Sequence, residues 1–241
     1  MGTLLCWLRS SAAYLLLGLY LALVAPPAFL YSYVTARPGV IVVLGRFAVR
    51  WLRRLLGVRL RLEGFEHVVS GRPTVYCINH RSMVDVVAFE AVSERCPRLR
   101  GLYKAELERV PILGIALRLS GFVRVERAHR SKAIEAADFA ADRLRAGDSI
   151  MLAPEGTRSV TGELLPLKKG AFVMAIKAQV PVVPVAIVRA AEAMPRGQWW
   201  VRPALVRIVA GAPVPTAGLS FDDRDRLAAA VRESLQRLLA G

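Results

Sequence analysis

A histidine and an aspartate five positions apart are the residues of this chain whose types and spacing best fit catalysis. His80 and Asp85 follow residues 75–78, a short apolar run with the composition of a buried strand. Five residues along an α-helix correspond to about 140° of rotation, so the two side chains would not share a helical face. They can meet only if His80 lies in a loop and Asp85 lies in the first turn of a helix that begins after Ser82.

The pair admits a structural and a functional interpretation. In the structural one, Ser82 and Asp85 form a variant of the capping box, and His80 is an ordinary polar loop residue. In the functional one, the imidazole is a general base, and the carboxylate fixes its tautomer and stabilises the imidazolium, as in a serine-hydrolase relay. Because the sequence has no Gly-x-Ser-x-Gly nucleophile elbow, the nucleophile would be a hydroxyl of the substrate.

A second cluster, residues 154–159, follows another short apolar run and contains a glycine turn with charged neighbours. Gly156 permits a tight turn, and the N–H groups of such a turn can bind a phosphate together with the Arg158 guanidinium. Taken alone, Glu155 and Arg158 in such a loop are more often a structural ion pair. Together with the first cluster, they favour an enzyme that deprotonates a hydroxyl on a phosphate-bearing molecule.

The N-terminal part of the 241-residue chain has the composition of a membrane-associated segment. Residues 10–36 include no charged side chain, and a span needs about 20 apolar residues for a hydrocarbon core of roughly 30 Å. Pro26 and Pro27 interrupt this segment, and a double proline should kink or end a helix. We therefore expect a membrane-embedded helix, which could be re-entrant, rather than a straight span. A cleaved signal peptide is the alternative.

The formal net charge of +15 is unevenly spread along the chain. No acidic residue occurs before Glu63, whereas eight arginines do, and four of these recur at helical spacing: Arg46, Arg50, Arg53 and Arg54. This pattern predicts a basic amphipathic helix in the membrane interface, where each arginine near an anionic leaflet contributes on the order of 1 kcal/mol. An ordinary surface helix packed on the domain is the alternative. The positive-inside tendency places the chain after Arg37 on the cytoplasmic side of the cell inner membrane.

Beyond residue 57, short apolar runs alternate with amphipathic stretches, which predicts an α/β domain with a mainly parallel sheet flanked by helices. We expect strands at 58–63, 74–78, 99–103, 122–126, 149–152, 182–188 and 205–209. We expect helices at 82–93, 112–119, 131–145, 171–177 and 222–239. No linker indicates a second soluble domain. Residues 1–57 are therefore assigned to membrane-embedded and amphipathic interfacial helices, and residues 58–241 to one domain that carries both clusters.

The cysteines and glycines of the chain do not follow the spacing of a metal or nucleotide site. Cys6, Cys77 and Cys96 have no metal-ligand spacing, and no P-loop or Rossmann glycine pattern occurs in a strand–helix context. We therefore expect no metal, no bound redox cofactor and reduced thiols.

Four blocks of residues in a fixed order carry a resemblance to a known family. They are residues 79–85, 104–127, 154–159 and 180–185. In this order they resemble the membrane-associated glycerolipid acyltransferases, and most closely the 1-acyl-glycerol-3-phosphate acyltransferases of bacterial phospholipid synthesis. The first block looks like the family's His-x4-Asp catalytic motif. The second ends in a substrate-binding arginine, the third carries a phosphate-contacting arginine, and the fourth is an apolar strand on the acyl-donor side.

The resemblance implies transfer of a fatty acyl group from an acyl thioester to the free 2-hydroxyl of lysophosphatidic acid, which gives phosphatidic acid. It assigns catalysis to His80 and Asp85. It assigns substrate binding to six residues: Lys104, Arg127, Glu155, Gly156, Thr157 and Arg158. The expected partners are membrane lipid, lysophosphatidic acid, and acyl-CoA or acyl carrier protein as the donor, which is a co-substrate rather than a cofactor. Nucleic acid is not an expected partner.

Two alternatives stay open. One is the same chemistry on another acceptor, such as a lyso-ornithine lipid or a different lysophospholipid. The other is a non-enzymatic basic protein that binds membranes or nucleic acid, which a net charge of +15 alone would permit.

Overall fold

A computed structural model describes residues 2–37, 39–126, 130–159 and 162–241. The strands in these ranges are β1 (Val58–Glu63), β2 (Val75–Ile78), β3 (Leu99–Lys104), β4 (Val123–Val125), β5 (Ser149–Leu152), β6 (Val182–Val188) and β7 (Ala204–Ala210). They form one sheet in the order β1-β7-β6-β2-β5-β3-β4. Each described pair of neighbours is parallel except β6 with β7, which is antiparallel. The predicted α/β class with a mainly parallel sheet is confirmed.

Helices flank this sheet and precede it. They are α1 (Thr3–Thr35), α2 (Gly39–Leu55), α3 (Val86–Arg95), α4 (Leu113–Leu119), α5 (Arg130–Arg145), α6 (Gly170–Ala178), α7 (Ala190–Ala193) and α8 (Arg224–Ala240). Four short 3-10 turns accompany them, at Phe65–His67, Met83–Asp85, Ala105–Arg109 and Phe221–Asp223. The helix predicted over 82–93 is therefore a 3-10 turn followed by α3.

Side chains of the central strands alternate between two apolar layers, one on each face of the sheet. In β2, Tyr76 and Ile78 join the layer that includes α3, whereas Val75 and Cys77 join the layer that includes α6 and α8. All four residues of β2 are buried. A strand covered on both faces reads as a continuous apolar run rather than an alternating one, which is why residues 75–78 are recognisable in the sequence.

The N-terminal helix α1 continues through the double proline. Pro26 and Pro27 were expected to kink or end the helix, and they do not end it, because α1 is one helix of 33 residues across both of them. The helix packs along α2, where the Tyr20 hydroxyl donates to the Leu44 carbonyl. Tertiary contacts of this kind override a local helix-breaking preference. By length and composition α1 is long and apolar enough to cross a membrane.

The first turns of α1 are also attached to the α/β domain. The Trp7 ring lies against the rings of Trp199 and Trp200, with centroids 5.7 and 5.2 Å away. The Val201 N–H donates to the Ser10 hydroxyl, and the Tyr14 hydroxyl donates to the Trp199 carbonyl. These contacts fix the beginning of α1 against the loop that precedes β7.

Three of the four helically spaced arginines of α2 contact α3. Arg50 and Arg53 donate from Nε to the two carboxylate oxygens of Glu90, at 3.0 and 2.9 Å, and Arg46 donates to the Ser93 carbonyl. The sequence favoured anionic lipid headgroups as partners of these arginines and left a helix packed on the domain as the alternative. For Arg46, Arg50 and Arg53 the contacts support that alternative. The physical reason is Glu90, whose side chain is 1% exposed; a buried carboxylate requires cationic partners, and α2 supplies them.

We predict that Glu90→Ala lowers the free energy of unfolding by about 3 kcal/mol, because it leaves two guanidinium groups without their carboxylate. Denaturant titration in detergent micelles, followed by tryptophan fluorescence, measures this change. Glu94→Ala is the matched control, since Glu94 also pairs with Arg50 but its side chain is 41% exposed. The control should lose about 0–1 kcal/mol. Equal losses in both variants would contradict the role given to Glu90.

Candidate active site

The carboxyl end of β2 is fixed to the neighbouring strand just before His80. The Asn79 side chain is buried and bonds both main-chain groups of Ile187 in β6: its amide donates to the carbonyl at 3.0 Å, and its oxygen accepts the N–H at 2.6 Å. These two bonds join the end of β2 to β6 and fix the point at which the chain leaves the sheet. Asn79 was not predicted as a separate site residue, although a polar residue directly after a buried strand could have indicated a role at the strand end.

A short 3-10 turn, Met83–Asp85, carries the aspartate. Ser82 is its N-cap, as predicted: the Ser82 hydroxyl accepts the Val84 N–H and donates to the Met194 carbonyl. Asp85 occupies the third position of the turn, and its Oδ2 accepts the Ser82 N–H at 2.9 Å. The capping box therefore exists as the structural interpretation proposed.

The same carboxylate oxygen also binds the imidazole. His80 Nδ1 lies 2.8 Å from Asp85 Oδ2, and this oxygen additionally accepts the Arg81 N–H at 2.7 Å. The structural and functional interpretations are thus both correct in their geometry, because one oxygen caps the turn and contacts the histidine. A carboxylate oxygen is an acceptor, so the neutral form of this imidazole would carry its proton on Nδ1 and its lone pair on Nε2. Asp85 is 3% exposed, whereas the His80 side chain is 32% exposed.

The second cluster contacts His80 directly. Glu155 Oε1 accepts the His80 N–H at 2.6 Å, and Glu155 Oε2 accepts the Leu165 N–H at 2.8 Å. The Ser159 N–H donates to the His80 carbonyl at 2.9 Å. Burial raises the pKa of the Glu155 carboxyl, while the N–H groups of Leu165 and His80 oppose that rise. Glu155 is 3% exposed, and its two oxygens join the loop at His80 to the loop at Leu165.

Gly156 makes the tight turn that the sequence predicted, with φ at +72°. A Cβ at this position would lie 2.8 Å from Lys168 Cε and 3.0 Å from its Nζ, so the Lys168 ammonium lies against the turn. The Lys168 N–H donates to the Pro154 carbonyl. Lys168 was not among the predicted site residues. The one feature of the sequence that could have indicated it is a lysine pair before a helix.

Thr157 and Arg158 complete this turn toward solvent. Thr157 is exposed and Arg158 is half-buried. The Arg158 carbonyl accepts from the Arg196 guanidinium at 3.2 Å. Within the described ranges, the Arg158 guanidinium itself has no ion-pair partner, so its charge is available to an anionic ligand.

Lys104 lies at the same edge of the sheet, at the end of β3. Because β3 and β5 are parallel neighbours, their carboxyl ends meet at one edge, which also holds His80 and the Gly156 turn. Lys104 is exposed and its ammonium is 3.4 Å from Glu106. In the part of the chain that the structure describes, no hydrogen bond joins it to His80 or to the turn. Arg127, the remaining predicted site residue, lies outside the described residues.

Within the described ranges, the site holds an imidazole whose Nδ1 faces a buried carboxylate, next to a turn bordered by the cationic side chains of Arg158 and Lys168. Such an arrangement can remove a proton from a hydroxyl and hold a phosphate beside it. A family model described as Acyltransferase matches residues 59–188, which contain every one of these groups. The chain belongs to the acyltransferase family. It is therefore an enzyme, and the resemblance drawn from the four sequence blocks is confirmed.

Curated relatives of this acyltransferase agree with the family model. Over 192 residues it is 31% identical to 1-acyl-sn-glycerol-3-phosphate acyltransferase alpha of Homo sapiens, covering 79% of this chain and 67% of that protein. Over 183 residues it is 31% identical to the human beta enzyme, covering 75% of this chain and 64% of that protein. The chain spans about two thirds of the length of these relatives.

A solved structure has the same fold along its whole length. It is the crystal structure of the 1-acyl-sn-glycerophosphate (LPA) acyltransferase PlsC from Thermotoga maritima, with a TM-score of 0.78, 24% sequence identity, and coverage of 100% of both chains. At this level of identity the match shows the fold, including helices that precede the sheet.

We predict that Glu155→Gln lowers both stability and acyl transfer. An amide offers one acceptor oxygen, so the N–H of either His80 or Leu165 would face an NH2 group and lose its bond. An unsatisfied buried N–H costs about 1–3 kcal/mol of unfolding free energy. Glu192→Gln, in an exposed pair with Arg189, is the matched control and should lose less than about 0.5 kcal/mol.

The effect of Glu155→Gln should also depend on pH. Since burial raises the pKa of Glu155 above its ordinary value near 4.5, the folded wild type binds a proton more readily than the unfolded chain does. This contribution to stability is fully present below pH 4.5 and is lost as the pH rises through the raised pKa. The difference in unfolding free energy between wild type and variant should therefore be larger near pH 4.5 than near pH 8. The opposite trend would contradict the burial of this carboxyl.

Proposed function

We propose that this acyltransferase moves a fatty acyl group from an acyl thioester to the free 2-hydroxyl of lysophosphatidic acid, giving phosphatidic acid. The observation that carries the proposal is the hydrogen bond between His80 Nδ1 and Asp85 Oδ2 beside a turn bordered by unpaired or exposed cations. The names of the human relatives, 1-acyl-sn-glycerol-3-phosphate acyltransferases, support the same acceptor.

The chemistry requires one base that later acts as an acid. His80 Nε2 takes the proton of the acceptor hydroxyl while the hydroxyl oxygen forms a bond to the thioester carbonyl carbon. The bond between that carbon and sulfur then breaks, and the leaving thiolate takes the proton from Nε2. Asp85 stabilises the imidazolium between these two steps, and its contact with Nδ1 holds the ring in one orientation.

The acceptor phosphate would bind the cations around the Gly156 turn. A phosphate monoester carries a charge of about −1.5 to −2 near neutral pH. The Arg158 guanidinium can bind it in a bidentate manner, and Lys168 lies against the same turn. Lys104, at the neighbouring strand end, is close enough in the sheet order to contribute. Arg127 belongs to the same proposal through the family resemblance.

The donor and the location complete the proposal. The donor is acyl-CoA or acyl carrier protein, which brings its acyl group as a thioester and requires no bound cofactor. The enzyme would work at the cell inner membrane with its active site on the cytoplasmic side. Support comes from the long apolar helix α1 and from the excess of arginine that follows it. The alternative acceptor, a lyso-ornithine lipid or another lysophospholipid, would use the same base.

We predict that His80→Ala lowers the rate of acyl transfer by about 10²–10⁴-fold, because it removes the general base. A purified-enzyme assay with lysophosphatidic acid and an acyl thioester measures this rate. Vesicle binding should not change, which separates the enzyme from a basic protein that only binds membranes. His67→Ala is the matched control, since His67 lies in the Phe65–His67 turn, where its Nε2 is 3.9 Å from Glu66 Oε1. Unchanged turnover in His80→Ala would overturn the mechanism.

We predict that Arg158→Ala raises the KM for lysophosphatidic acid about 10–100-fold, which corresponds to the loss of a charge-assisted hydrogen bond of about 1.5–3 kcal/mol. With lyso-ornithine lipid, which has no phosphate, the same variant should change KM less than about twofold. Arg59→Ala is the matched control, since Arg59 is exposed on β1 at the far edge of the sheet. An equal loss with both acceptors would show that Arg158 does not bind the phosphate.

A further inference from the structure

Four exposed apolar side chains of the catalytic domain lie in the segment that follows β3. Leu107, Val110, Leu113 and Ile115 are between 37% and 44% exposed, within the Ala105–Arg109 turn, the link after it and α4. A soluble surface tolerates single apolar side chains, but four exposed ones within residues 107–115, beside an apolar groove, favour a site of interaction. Two further exposed apolar residues, Met83 at 58% and Val86 at 49%, lie next to Asp85 in the chain.

The same segment is joined to the N-terminal helices by an apolar groove. Ile112 and Ala116 line this groove together with α1 residues from Tyr20 to Phe29 and α2 residues from Ile41 to Ala48. The neighbours of Ile112 and Ala116 on α4, Leu113 and Ile115, face outward. The exposed apolar surface of α1 therefore continues onto the catalytic domain through this groove.

Backbone strain marks the point where the segment enters the groove. Ile112 has φ at +66° and ψ at −55°, and the Leu113 N–H donates to the Pro111 carbonyl at 2.6 Å. A β-branched residue rarely adopts a positive φ, and a turn of this kind is strained. Such strain persists only where surrounding contacts determine it. Here the contacts are those that hold Ile112 between α1 and α2 while the next residue points outward.

We propose that residues 105–119 contact lipid beside α1 and lie in the boundary between the headgroups and the acyl chains of a bilayer. Continuity with α1, whose exposed side chains have the composition of a membrane helix, identifies the occupant as lipid. The exposed Arg109 and Arg118 on the same segment fit anionic headgroups. Since Lys104 precedes this segment directly, the active-site edge of the sheet would lie at the bilayer surface.

A fluorescent label tests this contact in the full chain. An environment-sensitive dye is attached to Ile115→Cys, and its emission is recorded with vesicles of phosphatidylglycerol and phosphatidylcholine, with or without a nitroxide on the acyl chains. The native thiols do not compete, because all three are buried and burial raises the pKa of Cys77 to about 12. Leu23→Cys, 74% exposed on α1, is the positive control, and Phe139→Cys, 53% exposed on α5, is the matched negative control.

The proposal expects the dye at Ile115 to shift to the blue and to be quenched by the nitroxide, as at Leu23, while the dye at Phe139 responds to neither. A dye at Ile115 that behaves like the one at Phe139 overturns it. A blue shift at Ile115 that occurs without vesicles and grows with protein concentration also overturns it, because a second copy of the chain would then cover this surface. Acyl transfer is not needed for any of these readouts, so they are independent of the proposed function.

A pair of charge substitutions gives a second measurement. Leu113→Glu combined with Ile115→Glu should lower vesicle binding at least about tenfold, since the two aliphatic side chains that would be buried among acyl chains are replaced by carboxylates. Ile134→Glu combined with Phe139→Glu, at two exposed apolar positions of α5, should change binding less than about twofold. Equal effects of the two pairs would contradict a specific contact of residues 105–119. Circular dichroism and a melting curve verify that each variant is folded.

Discussion

A single buried carboxylate fixes the arrangement of the active site. Glu155 accepts one N–H from His80 and one from Leu165, and so it joins the loops that follow two adjacent parallel strands, β2 and β5. A carboxyl group buried to this extent is stable only when its oxygens are hydrogen-bonded, so separating the loops would leave buried polar groups without partners. The Ser159 N–H closes the connection on the carbonyl of His80. The position of the histidine main chain is therefore determined by the third sequence block as much as by the first.

The side chain of His80 is fixed by a different carboxylate, that of Asp85. Asp85 Oδ2 accepts N–H groups from Arg81 and Ser82 and lies 2.8 Å from Nδ1 of the imidazole. The geometry that begins the helical turn is thus also the geometry that orients the ring. The spacing along the sequence therefore predicted the contact between His80 and Asp85. The His-x4-Asp spacing places the histidine in a loop, Ser82 at the N-cap and the aspartate in the turn that follows, so this contact requires no residue from elsewhere in the chain.

Features that depend on local spacing were predictable from the sequence, whereas those that depend on distant partners were not. The strands of the sheet, Ser82 as N-cap and the positive φ of Gly156 follow from patterns of a few residues. The arginines of α2 were assigned to lipid because Glu90, which binds Arg50 and Arg53, lies 40 and 37 residues further along. Continuation of α1 through its two prolines likewise depends on packing against α2. Lys168 belongs to the site only because its side chain lies against the turn at Gly156 in the folded protein.

The ion pairs of Glu90 also connect membrane attachment to catalysis. The carboxylate is on α3, which begins one residue after Asp85, and its arginine partners are on α2. The N-terminal helices and Asp85 are therefore joined through α3, so the orientation of α2 sets the orientation of the candidate active site. A lysolipid that had to leave the bilayer would expose its chain to water at about 0.8 kcal/mol per methylene, roughly 13 kcal/mol for a chain of about 16 carbons. In the proposed reaction, an active site held at the lipid surface would avoid most of this cost, since only the headgroup and the hydroxyl would have to reach His80.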